Sequence, residues 1–350
     1  MENRFHQRLS NRKMIMGKED GDLDFSPFIL SCIKYPFCVE AYNQGNSNHW
    51  LPQPIGMARD IAQWNDGVSL TPDEKRVVEI SLGYFTTADS IVANNLVLAI
   101  YRHITAPEAR MFLLRQAFEE TIHTQSYQYI VQSLGMDEEK IFMMYKNCKP
   151  IWNKDKLSIS NMDNIFDPHF KLDSLDKAKM FLDNLVDFYV ITEGIFFYAS
   201  FAAIMSFQRR NLLPGTVEQF QYITRDESSH FQFGIGLIRT ILGEYPELDT
   251  PEFRKSVKER ILYAAELEEL YAHEMAPRGI LSFSASSYGT YMRHIADLRL
   301  RALGMDPVFN VSNPFPWMAE ILDMSRQKNF FETRVTDYQL NGINPDEIFA

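Results

Sequence analysis

From residue 71 onward, apolar positions recur every three or four residues in long runs, and no stretch of any length alternates with the two-residue period of a strand. The runs have marked ends. Thr71-Pro-Asp-Glu74 reads as a capping box with proline at the first helical position, and it predicts a helix to about Tyr101. After a break at Thr105-Ala-Pro107, the pattern predicts a second helix from Glu108 to Leu134, stopped by Gly135. The plan then repeats. Ser174 and Asp176 open a helix to about Phe207. A polar break from Arg209 to Gly215 leads into another, from about Val217 to Leu242. Two more are expected at roughly 251–273 and 285–303, and periodicity fades after Pro314-Phe-Pro-Trp317. The expectation is an all-α protein: a flexible segment at 1–25, one long-helix bundle over 26–320, and a C-terminal segment with a flexible tail at 321–350.

Composition narrows the setting. A net charge of −11 argues against a nucleic-acid surface, which needs clustered Lys and Arg. Cys32, Cys38 and Cys148 form no CxxC pair and no even framework, the usage of a reducing compartment. The first residues lack the apolar stretch of a signal peptide. The most apolar segment, 181–207, is interrupted by Asp183, Asp187 and Glu193, so it reads as a buried helix rather than a membrane span. A soluble, cytoplasmic protein is expected.

One of those interruptions, Glu193, belongs to the constellation that carries the chemistry. Glu120-Thr-Ile-His123 and Glu227-Ser-Ser-His230 are two copies of Glu-x-x-His, and residues three apart share a helix face. One such motif alone is a chance occurrence. However, each preceding helix carries a carboxylate among small or apolar neighbours, Asp89 in one and Glu193 in the other, and a buried carboxylate needs compensation. Asp89 lies 16 residues before a turn centred on 105, and Glu120 lies 15 after it. Around a turn at 210, Glu193 and Glu227 are each 17 residues away. Two antiparallel hairpins thus bring four carboxylates and two histidines to one depth. This is the donor arrangement of ferritin-like di-iron and di-manganese bundles. Four carboxylates neutralise two divalent cations, and oxygen-rich ligation suits iron or manganese better than structural zinc. Tyr127 lies one turn beyond His123 on the same face, within reach of oxidation from such a centre.

At these residues the chain resembles the small, radical-generating subunit of class I ribonucleotide reductase, over about residues 34–338. Ala88-Asp-Ser90, the run from Phe118 to Tyr127, Thr192-Glu-Gly194 and the run from Arg225 to His230 match family motifs in order. The resemblance implies that the six residues are ligands to two metal ions, that Tyr127 carries a stable tyrosyl radical, and that Phe197, Phe201 and Ile223 shield it. It further implies that Trp50, Asp226 and Tyr338 relay the oxidising equivalent to a separate large subunit, where nucleotides bind and are reduced. The last residues, 341–350, with Ile348 and Phe349 as apolar anchors, are similar to the tail that docks that subunit. The family is homodimeric and uses O2. Segments such as Asn313-Pro-Phe-Pro-Trp-Met318 resemble the chlamydial-type branch, whose members commonly have Phe at the radical position and use a manganese–iron pair as the oxidant. Having Tyr127 and Asp89 favours the Fe/Fe form over Mn/Fe or Mn/Mn. A di-metal substrate oxidase or a metal store of the same fold would have no use for Trp50, Asp226 or Tyr338.

Overall fold

The computed structural model describes residues 13–16, 33–159, 163–280 and 284–318. Among them there is no strand, only one isolated bridge between Ile15 and Ile104. The helices are α1 (Pro36–Ser47), α2 (Ala58–Asn65), α3 (Pro72–Asn95), α4 (Pro107–Leu134), α5 (Lys149–Ile159), α6 (Leu175–Leu185), α7 (Tyr198–Ser206), α8 (Pro214–Glu244), α9 (Pro251–Met275) and α10 (Ala285–Ala302). Short helical turns fill the connections between α4 and α6.

Two hairpins form the centre. In the first, α3 runs through a π turn, Leu96–Ile100, to His103, reverses at residues 104–106, and returns as α4. Its ends follow the sequence signals: Thr71 and Glu74 form the reciprocal capping box, and Gly135 at φ +64° closes α4 in the left-handed conformation. In the second, the long element from Leu175 to Arg210 reverses through Asn211 and Leu213, both at positive φ, into α8. Leu213 offers no side-chain cap, so a different element covers the start of α8. Asp60 of α2 accepts from the Gly215 and Thr216 backbone N–H groups at 2.9 and 2.7 Å. Helix α1 packs on α4 and α8, and α9 packs on α10 and the second hairpin.

The 175–210 element is long and apolar enough to cross a membrane by length and composition, yet its most apolar stretch is wholly buried inside the protein. It is not α-helical throughout. Residues Val186–Phe196 adopt π-helical geometry between α6 and α7. A π segment disturbs the regular i to i+4 pairing, and side chains serve several of its carbonyls. Thr192 Oγ1 donates to Asp187 O at 3.0 Å, Arg299 Nε to Gly194 O at 2.6 Å, and Lys154 Nζ to Phe196 O at 2.8 Å.

Lys154 is fully buried between the Tyr84 and Tyr271 rings, 3.5 and 3.8 Å from their centroids, and pairs with Glu268 at 2.5 Å. Burial pushes Glu268 up to about 7, against the pull of Lys154. Removing one partner of such a pair leaves the other charge buried. Lys154→Met is therefore expected to destabilise the metal-free protein by about 3–5 kcal/mol at pH 8. A carboxylate whose folded pKa lies above its unfolded value loses stability as pH rises through that window. The deficit should consequently shrink at pH 5, where Glu268 is protonated; urea unfolding at the two pH values measures it.

Residues 13–16 lie inside the stretch expected to be flexible, and they are docked. Met14 and Ile15 are fully buried between the first hairpin's tip and the end of α8. Thr105 N donates to Met14 O, Met14 N to Glu244 and Tyr245 Oη to Ile15 O, all at 2.8–2.9 Å. Three apolar residues in a row, Met14-Ile15-Met16, are too few to show periodicity, so this contact leaves no sequence pattern.

Candidate metal centre

The two hairpins bring all six expected ligands together at mid-height of the bundle. Asp89 comes from α3, Glu120 and His123 from α4, Glu193 from the π segment, and Glu227 and His230 from α8; each is essentially inaccessible to solvent. One donor atom from each of Glu120, Glu193, Glu227 and His230 lies within 4.8 Å of the others, and the same holds for Asp89, Glu120 and His123. Glu120 belongs to both groups.

The contacts show which carboxylates lie between the histidines. Glu120 turns Oε2 to His123 Nδ1 at 3.3 Å and Oε1 to His230 Nδ1 at 3.2 Å. Glu227 turns Oε1 to His123 Nδ1 at 3.1 Å and Oε2 to His230 Nδ1 at 3.2 Å. These two carboxylates thus lie between the histidines, while Asp89 lies near His123 and Glu193 in the His230 group; together the six would hold a pair of cations.

The donor set fits a pair of cations. Both Asp89 oxygens, both Glu120 oxygens, Glu193 Oε2, Glu227 Oε1 and His123 Nδ1 are buried without a hydrogen-bond partner. Such atoms are rare in native proteins unless an ion or water serves them. Burial, and next Glu120, pushes Asp89 well above the carboxylate range; burial and Glu227 do the same to Glu193. Cations relieve that mutual repulsion.

Outside the six, Asp226 Oδ2 accepts from Trp50 Nε1 at 2.8 Å and lies 3.3 Å from His123 Nε2, while Arg225 holds Oδ1 at 3.0 Å. Trp50, Asp226 and His123 thus form one buried chain. Burial opposes the charge on Asp226, but Arg225 and then His123 outweigh it and hold the carboxyl below its usual range. Gln116 Nε2 donates to Glu193 Oε1 at 2.8 Å, and Gln116 Oε1 accepts from Tyr189 Oη at 3.0 Å, which fixes the Glu193 carboxylate.

Tyr127 is fully buried one turn beyond His123, and its hydroxyl makes no hydrogen bond of ordinary geometry. Its ring stacks on Phe85 at 5.3 Å and meets Phe220 at 5.9 Å. Burial, then the charges of Asp89 and Glu227, pushes the phenol well above its usual pKa and keeps it protonated.

A family profile described as "Ribonucleotide reductase, small chain" matches residues 27–314. The chain belongs to the ribonucleotide reductase small-chain family. It is 48% identical over 310 residues to the ribonucleoside-diphosphate reductase subunit beta of Chlamydia pneumoniae, covering 89% of each chain. It is 29% identical to the small subunit of Dictyostelium discoideum, covering 90% of this chain and 87% of that one. Among solved structures, the ribonucleotide reductase R2 subunit of Clostridium botulinum superposes with a TM-score of 0.77 at 25% identity, over 89% of this chain and 94% of that one. The chain is thus the small subunit of a ribonucleoside-diphosphate reductase, an oxidoreductase, on the ferritin-like scaffold that the helix pattern implies.

Against the small-chain expectations, the structure adds detail around Tyr127. Phe197 and Phe201 form a layer behind Phe85, at 5.3 and 5.2 Å, while Phe85 and Phe220 make the ring contacts. Ile223 is fully buried nearby in chain, on α8. Helical spacing could have found the missing pair: Phe85 is one turn before Asp89, and Phe220 two turns before Glu227. Tyr338 and the 341–350 tail lie outside the described residues.

Proposed function

We propose that Asp89, Glu120, His123, Glu193, Glu227 and His230 hold two iron ions, and that Tyr127 stores the oxidising equivalent as a stable radical. The observation that carries this is the placement of Tyr127, sealed from solvent one turn beyond His123 with its hydroxyl interacting with Asp89. When bound, the metal pair supplies the activation of O2. The protein's part is positional. Among charged groups Asp89 acts most strongly on the phenol, which makes it the natural acceptor of the proton that Tyr127 gives up with its electron. Phe85, Phe220, Phe197 and Phe201 exclude water and reductants from the ring.

Trp50, hydrogen-bonded through Asp226 to His123, starts the outward relay, and Tyr338 ends it on this chain. The partner is the large subunit, which binds the nucleotide and engages residues 341–350 through Ile348 and Phe349; the small chain works as a homodimer in the cytoplasm. Reconstitution of metal-free protein with Fe(II) and O2 is expected to give two iron ions per chain and an organic radical by electron paramagnetic resonance. A second reading, a manganese–iron pair that itself stores the equivalent, draws on the 48% identity to the chlamydial chain. Metal analysis of native protein decides: equal manganese and iron without an organic radical would replace the di-iron reading. Tyr338→Phe should leave the radical intact and reduce turnover with the large subunit to background; normal turnover removes Tyr338 from the relay.

A further inference from the structure

The two ligand motifs share one more residue than Glu-x-x-His. Each is preceded by an acid, giving Glu119-Glu120-Thr-Ile-His123 and Asp226-Glu227-Ser-Ser-His230. In the folded chain these acids cross over. Asp226 lies against the histidine of the first motif, and Glu119 Oε2 lies 2.7 Å from Nε2 of His230, the histidine of the second. Both histidines turn Nδ1 inward to the carboxylates, so in each ring Nε2 is the outward nitrogen, and a histidine that gives Nδ1 to a metal would donate from Nε2 to the crossing acid.

Glu119 is itself held. It is 2% exposed, and Arg115, one turn earlier on α4, donates from Nε to Glu119 Oε1 at 3.0 Å. Arg115 in turn lies over the Phe118 ring at 5.2 Å. The space for this pair comes from α1: a Cβ on Gly45 would stand 2.9 Å from Glu119 Oε1 and 3.1 Å from Arg115 Cγ. The absence of a side chain on a neighbouring helix therefore admits the Glu119–Arg115 pair beside the cluster.

We infer that Glu119 is a positioning residue for the His230 half of the centre, the counterpart of Asp226 on the His123 half. The inference rests on the dinuclear reading above. The two arms differ in what lies behind them. Asp226 meets, besides the Arg225 guanidinium, an indole that can be oxidised, whereas Glu119 meets the Arg115 guanidinium, which neither yields an electron readily nor loses its proton. Glu119 thus orients its histidine as Asp226 does but opens no second exit for the oxidising equivalent.

The test is titration of metal-free protein with Mn(II), followed by calorimetry and electron paramagnetic resonance. The wild type should bind two ions per chain. In Glu119→Leu, one binding step should weaken by about 10–100-fold, the usual effect of losing a partner behind a metal-bound histidine. The other step should be unchanged, and Glu119→Gln, which keeps an acceptor for His230, should recover most of the loss. Gly45→Ala leaves every acid and histidine in place and should weaken the same step more mildly. Asp226→Leu should weaken the opposite step. Two unchanged steps in Glu119→Leu, or equal weakening of both with no recovery in Glu119→Gln, overturns the role of Glu119. Fewer than two ions in the wild type overturns the dinuclear reading instead.

Discussion

Tyr127→Phe is expected to abolish the organic radical, and turnover with the large subunit should fall by about three orders of magnitude, roughly 4 kcal/mol of barrier. The substitution is unusually clean. The Tyr127 hydroxyl is buried without a hydrogen bond of ordinary geometry, so deleting it removes only its weak interaction with Asp89 and should shift stability by less than about 1 kcal/mol. The ring that remains still stacks on Phe85 and still meets Phe220, so no cavity opens beside the cluster. Metal content should stay at two ions per chain. Resonance spectra, metal analysis and an unfolding curve on one preparation check all three expectations. A radical of unchanged yield in the variant would move the stored equivalent to another residue.

Trp50→Phe should produce the second large effect, with the opposite spectroscopic result. The radical on Tyr127 is expected at normal yield, because Trp50 touches Asp226 and the His123 ring rather than the Tyr127 pocket. Turnover should fall by about 100-fold or more, since phenylalanine neither donates to Asp226 nor oxidises readily. Asp226 would keep Arg225 and His123 as partners, so it is not left as an unpaired buried charge. Asp226→Asn keeps the shape and removes the charge that balances Arg225; a loss of about 10–100-fold is expected from its place behind His123. Measuring radical yield and turnover separately is essential. Full turnover in Trp50→Phe would show that the oxidising equivalent leaves by another route.

The six clustered side chains were legible because two of them break a local rule and the other four form two copies of one motif. Asp89 and Glu193 sit in apolar runs where a carboxylate is costly, and two Glu-x-x-His motifs at matched distances from two turns leave few other arrangements. Turn positions were legible for a related reason: Thr71, Pro107 and Gly135 act through backbone chemistry confined to a few residues. The π segment left no such trace. Its residues are buried on every side, so a change from 3.6 to a wider repeat moves none of them to a solvated face, and its carbonyl partners Lys154 and Arg299 come from distant helices. Glu119 escaped for the converse reason. An acid beside another acid on a helix resembles an ordinary solvated face, and its partner is 111 residues away in sequence. Only the repeat of an acid before each Glu-x-x-His hinted at it. Likewise α1 and α2, which place Trp50 and Asp60, are short and draw their stability from packing rather than from a strong pattern of their own.

The crossing of the acids bears on when the centre can exist during folding. Each histidine is held by a carboxylate from the other hairpin, over separations of 103 and 111 residues, so neither hairpin alone contains a finished half-site. Local helices and both turns can form early, because their contacts are close in sequence; the centre closes only after the hairpins dock, a step burdened by long loop closure. The six-residue set is therefore complete only at the end of assembly: a nascent chain that has emerged only through α4 has Asp89, Glu120 and His123 but lacks Glu193, Glu227, His230 and the Asp226 carboxylate behind His123.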